Sequence, residues 1–261
     1  MNILERIAAT KRQEIALKRK VVPESQLGAS ALMDRVPVSM KASLLSRPFG
    51  IIAEHKRRSP SRSVINQSLS VGEVVRGYEA GGAGAVSVLT DATYFGGSLE
   101  DLQLARAATT LPLLRKEFIL DPYQVLEARA HGADAILLIA ALLEPAEIRQ
   151  LSDSARRLGL EVLLEVHDLD ELRAAPADAA DMIGVNNRNL KTFDVDLATS
   201  HNLAPHIPET ALRITESGLG NPGELRALRE SGYRGFLMGE TFMKQQDPGK
   251  ALRTFLKDLG T

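Results

Sequence analysis

The sequence predicts an α/β fold, a single (β/α)8 TIM barrel with an N-terminal helical extension, the extension over residues 1–49 and the barrel over 50–261. Three observations carry that reading. From Gly50 onward, short β-branched or leucine-rich runs alternate with amphipathic segments, the pattern of βα units around a parallel sheet. The alternation gives eight strands starting about 21–35 residues apart, the count that closes a barrel, whereas an open doubly wound sheet uses about five to seven. The length of 261 residues matches the roughly 250 typical of such barrels, so one domain is expected.

Strands are expected at Ile51–Lys56, Ala85–Thr90, Pro112–Phe118, Ala135–Ala140, Glu161–His167, Met182–Asn187, Leu212–Glu216 and Gly235–Met238. Apolar stripes mark helices between them: Val74, Val75 and Tyr78; Ile148, Leu151, Ala155 and Leu158; Leu252, Phe255, Leu256 and Leu259. Helix starts are signalled by Ser98 three residues before Asp101, and by the acid–proline steps at Asp121, Glu144 and Asp247. Gly132, Gly159 and Gly232 mark helix ends. The extension holds a helical stretch around Ile3, Leu4, Ile7, Ala8 and Ile15 with basic residues Lys11, Arg12, Lys18, Arg19 and Lys20. It reads either as a cover for the barrel bottom or as a lid over the mouth.

Composition excludes several classes. There is no cysteine, hence no disulfide, zinc ribbon, iron–sulfur cluster or cysteine nucleophile. With 32 basic and 33 acidic residues, no global field draws the chain to nucleic acid or to membranes. The N-terminus lacks a signal-type apolar region, and no apolar run of about 20 residues exists, so a cytoplasmic location is expected. A small, locally recognised substrate is the expected partner, with a monomer or at most a weak dimer as the state. The chain ends just after its eighth unit, so no fused second enzyme is expected.

Charges stand where a barrel strand should be apolar. Glu54 and Lys56, Lys116 and Phe118, Glu165 and His167, and Asn186 and Arg188 are each two residues apart, so both members of a pair share one face. They are either outward residues paired to helices, or they converge on the C-terminal mouth where barrel enzymes act. Agreement among four strands favours convergence, because an unpaired charge in such an interior costs several kcal/mol, roughly, and persists only when used. The mouth would then hold Lys56, Lys116 and Arg188 against Glu54 and Glu165, a surplus of one positive charge that suits an anionic ligand. Strands seven and eight end in ESGLGNPGEL and LMGETFM, where Gly218, Gly220 and Gly239 and a short helix near Thr241 fit the phosphate position of this fold. The serines of RRSPSRS read as a phosphorylation site, a loop or a substrate clamp. His131, His201 and His206 read as surface or packing residues, and no metal-binding pattern occurs.

Taken together, AEHKRRSPS, VSVLTDATYFGGSLEDL, PLLRKEFILDPYQ, GADAILLIAALL, LLEVHDLDEL, IGVNNRNL, TESGL and GETFM resemble indole-3-glycerol phosphate synthase over essentially the whole chain. The resemblance implies Lys116 as principal general acid, Lys56 as assisting charge, Glu165 as general base, and Glu54 as the group orienting the lysines. It implies that Asn186, Arg188, Ser59 and Glu216 hold the substrate and that Phe95, Phe118 and Leu137 wall a slot for the anthranilate ring. Ser217, Gly218, Gly239 and the backbone of Glu240 would cradle the phosphate, with the Glu240 side chain turned outward. The implied reaction cyclises 1-(2-carboxyphenylamino)-1-deoxyribulose 5-phosphate with loss of carbon dioxide and water. An ammonium protonates the ketone oxygen and later helps it leave, and a carboxylate takes a proton as the ring regains aromaticity, with no metal or organic cofactor. This chain has Ser63 where the family commonly has glycine, and His55 where an apolar or aromatic residue is common; His55 should face the helices. A sister isomerase barrel and a non-catalytic phospho-ligand barrel are the competing readings.

Overall fold

In the computed structural model, all eight strands form: β1 (Gly50–His55), β2 (Ala85–Leu89), β3 (Leu113–Lys116), β4 (Ala135–Ile139), β5 (Glu161–Val166), β6 (Met182–Asn186), β7 (Leu212–Glu216) and β8 (Gly235–Met238). Residues 3–58, 64–66, 68–189 and 192–260 are described. Each strand pairs in parallel with the next, and β8 closes on β1 from Gly50↔Gly235 to Ala53↔Met238, which makes the predicted barrel. Six strands end one or two residues earlier than expected, at His55, Leu89, Lys116, Ile139, Val166 and Asn186, because the chain there leaves the ladder to turn toward its helix.

Helices α1 (Ile3–Val21), α2 (Glu24–Gly28) and α3 (Met40–Leu45) precede the barrel. Its outer ring is α4 (Val71–Gly81), α5 (Leu99–Ala108), α6 (Pro122–Ala130), α7 (Pro145–Arg157), α8 (Leu169–Ala174), α9 (Ala198–Leu203), α10 (Pro222–Glu230), α11 (Glu240–Met243) and α12 (Pro248–Leu259). The expected caps are in place. Ser98 accepts from Asp101 N at 3.0 Å, Asp121 from Tyr123 N at 2.8 Å and Asp247 from Lys250 N at 2.9 Å. Gly132, Gly159 and Gly232 all take the left-handed conformation just past helix ends.

Strand alternation sorts the core into two layers. Outward residues such as Ile51, Ala53 and Val86 pack on the helix stripes through Val74, Val75, Tyr78 and Leu252. Inward residues such as Ile52, Leu114, Leu163, Met182 and Leu237 fill the barrel. The seam between first and last barrel helices depends on Gly249, where a Cβ would fall 2.5 Å from the Gly77 carbonyl oxygen of α4.

The extension does both jobs that its sequence left open. At the barrel's N-terminal end, α3 buries Met40 and Leu44, and Glu161 at the start of β5 accepts from Met40 N and Lys41 N at 2.7 and 2.9 Å. A carboxylate at a helix start is favoured by the exposed N–H groups there. At the other end, α1 lays Ile3, Leu4 and Ile7 along the mouth cavity. Lys11, 4% exposed, pins it there through Asp91 at 2.8 Å and Glu117 at 3.2 Å, just past β2 and β3. Among the described residues, no helix is long and apolar enough to cross a membrane.

His55 faces the helix layer, as alternation predicts, and its Nε2 is buried without a hydrogen-bond partner. Burial first, and then the nearby Arg57 guanidinium, hold its pKa down to about 4. The unfolded chain therefore takes up this proton near the ordinary pH of about 6.5 while the folded chain resists it. The stability it confers is complete above about 6.5 and is lost as pH falls toward 4. Urea titrations at pH 7 and 4.5 should show His55→Phe losing about 2–3 kcal/mol less than the parent over that interval. Equal losses in both proteins would contradict this.

Candidate active site

Because neighbouring strands are in register, inward residues near their C-terminal ends form one charged layer. Leu89 pairs with Lys116, Ile139 with Glu165, and Asn186 with Glu216. The layer floors a cavity of about 480 Å³ at the mouth. Lys116 stands between two carboxyls, its Nζ donating to Glu165 Oε2 at 3.0 Å and Glu216 Oε2 at 2.6 Å. Asn186 Nδ2 donates to Glu165 Oε1 at 3.1 Å, and Lys56 Nζ pairs with Glu54 Oε1 at 2.8 Å. Arg188 closes one side, its backbone N bonded to Asn186 Oδ1 at 3.0 Å and its guanidinium to Phe193 O at 2.9 Å.

Burial opposes the charge on Lys116, but Glu165, Glu216 and Glu54 outweigh it and raise its pKa above the lysine range. Burial would likewise lift Glu165, yet Lys116 and His167 bring it well below the usual carboxylate range. Glu216 goes the other way, pushed up to about 8 by burial and by Glu165. Counting Glu216 gives three acids against three bases, Lys56, Lys116 and Arg188, and the expected surplus of one positive charge holds while Glu216 carries its proton. The carboxyl of Glu216 was legible as part of TESGL, but its contact with Lys116 depends on the β6–β7 register.

An apolar wall faces these charges. Phe95 and Phe118 lie 5.9 Å apart between ring centroids, tilted by 42°, with Leu137 and Ile139 beside them. Asp91 Oδ1 fixes the Phe95 loop by accepting from Tyr94 N at 2.6 Å and Phe95 N at 3.1 Å. Glu117 Oε1 accepts from Phe118 N at 2.9 Å. Sequence reasoning missed the contribution of Ile3, Leu4 and Ile7 to this wall. Their helical spacing was visible, but not where the helix docks.

Opposite the wall, Ser217 and Gly218 follow β7 with φ of 69° and 77°. A Cβ on Gly218 would lie 2.3 Å from Val195 Cγ1, so only glycine fits. Asn187 holds the turn from behind, its Nδ2 donating to Thr215 Oγ1, Glu216 O and Ser217 O at 3.0, 2.9 and 3.2 Å. Neither the residue nor its role was foreseen. Gly239 caps α11, and a Cβ there would fall 2.6 Å from Glu54 Oε1, so this glycine also makes room for a site carboxylate. Glu240 is exposed and stands among the residues lining the cavity. Lys244, at the end of α11, adds an unforeseen cation to the cavity lining. Ser59, Pro60 and Ser63 lie outside the described residues.

Every other expected site residue therefore lines or borders one cavity. The family profile for indole-3-glycerol phosphate synthase matches residues 4–255. The indole-3-glycerol phosphate synthase of Bacteroides thetaiotaomicron is 47% identical over 258 residues, covering 98% of both chains. That of Bordetella pertussis is 44% identical over 255 residues, covering 96% of this chain and 97% of its own. Among solved structures, the thiamine phosphate pyrophosphorylase of Pyrococcus furiosus superposes with a TM-score of 0.62 at 16% identity, covering 85% of this chain and 98% of that one. Its N-(5'-phosphoribosyl)anthranilate isomerase gives 0.56 at 15% identity, covering 81% and 98%; both likenesses speak to the fold alone. Sequence identity across nearly the full length of both relatives, together with the profile match, means that the chain belongs to the indole-3-glycerol phosphate synthase family of carboxy-lyases in tryptophan biosynthesis.

Proposed function

We propose that this chain, acting as one unit over residues 1–261, closes the pyrrole ring of 1-(2-carboxyphenylamino)-1-deoxyribulose 5-phosphate by lysine–glutamate acid–base chemistry. The observation that carries the reading is the Lys116 ammonium, set between Glu165 and Glu216 on the floor of a cavity with an aromatic wall on one side and the Ser217–Gly218 turn on the other. The ring lies against Phe95, Phe118 and Leu137, and the phosphate is gripped by Ser217, Gly218, Gly239 and the Glu240 amide. Asn186, Arg188, Ser59 and Glu216 hold the remaining polar groups.

As the carboxylate-bearing ring carbon attacks the ketone carbon, negative charge grows on the ketone oxygen. Lys116 donates a proton to it, assisted by Lys56, which Glu54 orients. The C–CO2 bond then breaks, releasing carbon dioxide. The new hydroxyl leaves as water with a proton from the lysine side, while Glu165 removes the carbon-bound proton whose electrons complete the pyrrole. The sum is substrate to indole product, carbon dioxide and water.

Purified protein incubated with this substrate should develop the indole chromophore without added metal. Folded protein that forms no indole, with or without magnesium, overturns the reading. The phosphate grip has its own test in Gly218→Ala, which forces a side chain into the left-handed region at about 1–2 kcal/mol and against Val195. KM should rise about tenfold or more while kcat changes less; an unchanged KM would place the phosphate elsewhere.

A further inference from the structure

Two carboxyls share one ammonium on the cavity floor, yet the chemistry proposed above needs one of them free of its proton. The Lys116 contacts do not decide which, since Glu216 at 2.6 Å is closer than Glu165 at 3.0 Å. The asymmetry lies on the far oxygens. Glu216 Oε1 is buried with no partner, whereas Glu165 Oε1 receives Asn186 Nδ2 at 3.1 Å and faces His167 Nε2 at 3.3 Å.

His167 is itself held from behind. Its Nδ1 lies 3.1 Å from Glu171 Oε2, the same oxygen that accepts from the His167 backbone N at 2.7 Å. Glu171 is fixed in the first turn of α8, where its N–H donates to the capping Asp168 at 2.8 Å. Both ring nitrogens thus face carboxylate oxygens, and a neutral imidazole, with a single N–H, would set a lone pair against one of them. The imidazolium alone turns positive charge toward both: Nδ1 is within hydrogen-bond distance of Glu171, while Nε2, not aligned for a hydrogen bond, meets Glu165 as an ion pair at 3.3 Å.

We propose that His167 is a positioning residue for Glu165: clamped by Glu171, its imidazolium makes Glu165 the ionised member of the Glu165–Glu216 pair and leaves the proton on Glu216. The inference rests on the reaction reading above. The charged groups around His167 are Glu165, two residues earlier on β5, and Glu171 on α8, with Lys116 of β3 and Glu216 of β7 beyond Glu165. The turn Ala140–Leu142, packed against β5 and α8, brings no titratable side chain. Burial opposes the charge on His167, but the carboxylates of Glu165 and Glu171 on either side of the ring prevail and raise its pKa to about 10. A merely structural histidine would not couple to a proton on Glu165.

The test pairs nuclear magnetic resonance of the histidine rings with kcat/KM profiles for the parent, His167→Asn and Glu171→Gln. The His167 resonance of the parent should keep its imidazolium position to about pH 9, and Glu171→Gln should lower that titration by about one unit or more. In His167→Asn the acid limb of kcat/KM should move up by about one pH unit, so that activity falls about tenfold more at the acid end than on the plateau, with little change in KM. Glu171→Gln should move the limb in the same direction by less. A His167 titration near 6.5, or variant profiles that are merely scaled copies of the parent's, overturns the proposal. If the parent made no indole at any pH, the reaction reading and the role built on it would fall, while the resonance would still report whether the imidazolium exists.

Discussion

Replacing Lys116 by alanine is expected to lower kcat by about 10³-fold or more, while product affinity stays within a few-fold of the parent. Loss of a positioned acid alone costs about 10²–10⁴. In this site the loss is compounded, because Lys116 is also the cation between Glu165 and Glu216. Without it the two carboxyls face each other, both pKa values rise, and the base is protonated where it should be free. Its ammonium is bonded to Glu165 and Glu216, and the ring slot and the Ser217–Gly218 turn are held by other residues, so product binding should survive. Quenched-flow turnover and titration with product separate the two effects. Turnover within tenfold of the parent would remove Lys116 from the chemistry, and a parallel collapse of product binding would make it a scaffold.

The second large effect concerns the lid. Lys11 brings a buried ammonium to Asp91 and Glu117, and burial alone would lower its pKa were it not for these two acids, which raise it. Lys11→Met takes the cation from buried Asp91 and leaves Glu117 only the more distant Arg115 at 3.7 Å, a change worth about 3–5 kcal/mol. Those carboxylates recover water if α1 lifts, so the cost should appear as undocking of α1 rather than loss of the barrel. Amide protection in α1 should fall about 100-fold, at about 1.4 kcal/mol per tenfold, while strand amides keep theirs. Turnover should fall as well, since Ile3, Leu4 and Ile7 leave the cavity wall. Unchanged α1 protection would contradict the pinning role.

Local signals in the sequence reached far into this fold because they are local in structure too. Ser98, Asp121 and Asp247 cap the helices they precede, and β-branched runs became strands within a residue or two. Period-two charges found the site because a closed barrel aims alternate residues at its axis. What escaped prediction depends on partners far along the chain. Lys11 reads as one basic residue among several on a surface helix until Asp91 and Glu117 meet it. Asn187, one residue from a predicted site asparagine and expected only as the last residue of a strand, ties Thr215 to Ser217. His167 shares a face with Glu165 by its spacing, but its clamp needs the first turn of α8. The choice between lid and bottom cover was undecidable from spacing, since α1 and α3 take opposite ends of the barrel.

The most direct measurement is the crystal structure of this protein with indole-3-glycerol phosphate bound. The phosphate should sit on the backbone of Ser217, Gly218, Gly239 and Glu240, with the indole between Phe118 and Leu137 and within reach of the Lys116 and Glu165 side chains. A product bound with its phosphate away from the β7 and β8 turns, or with its ring out of reach of Lys116, would contradict the assignment of this floor to ring closure.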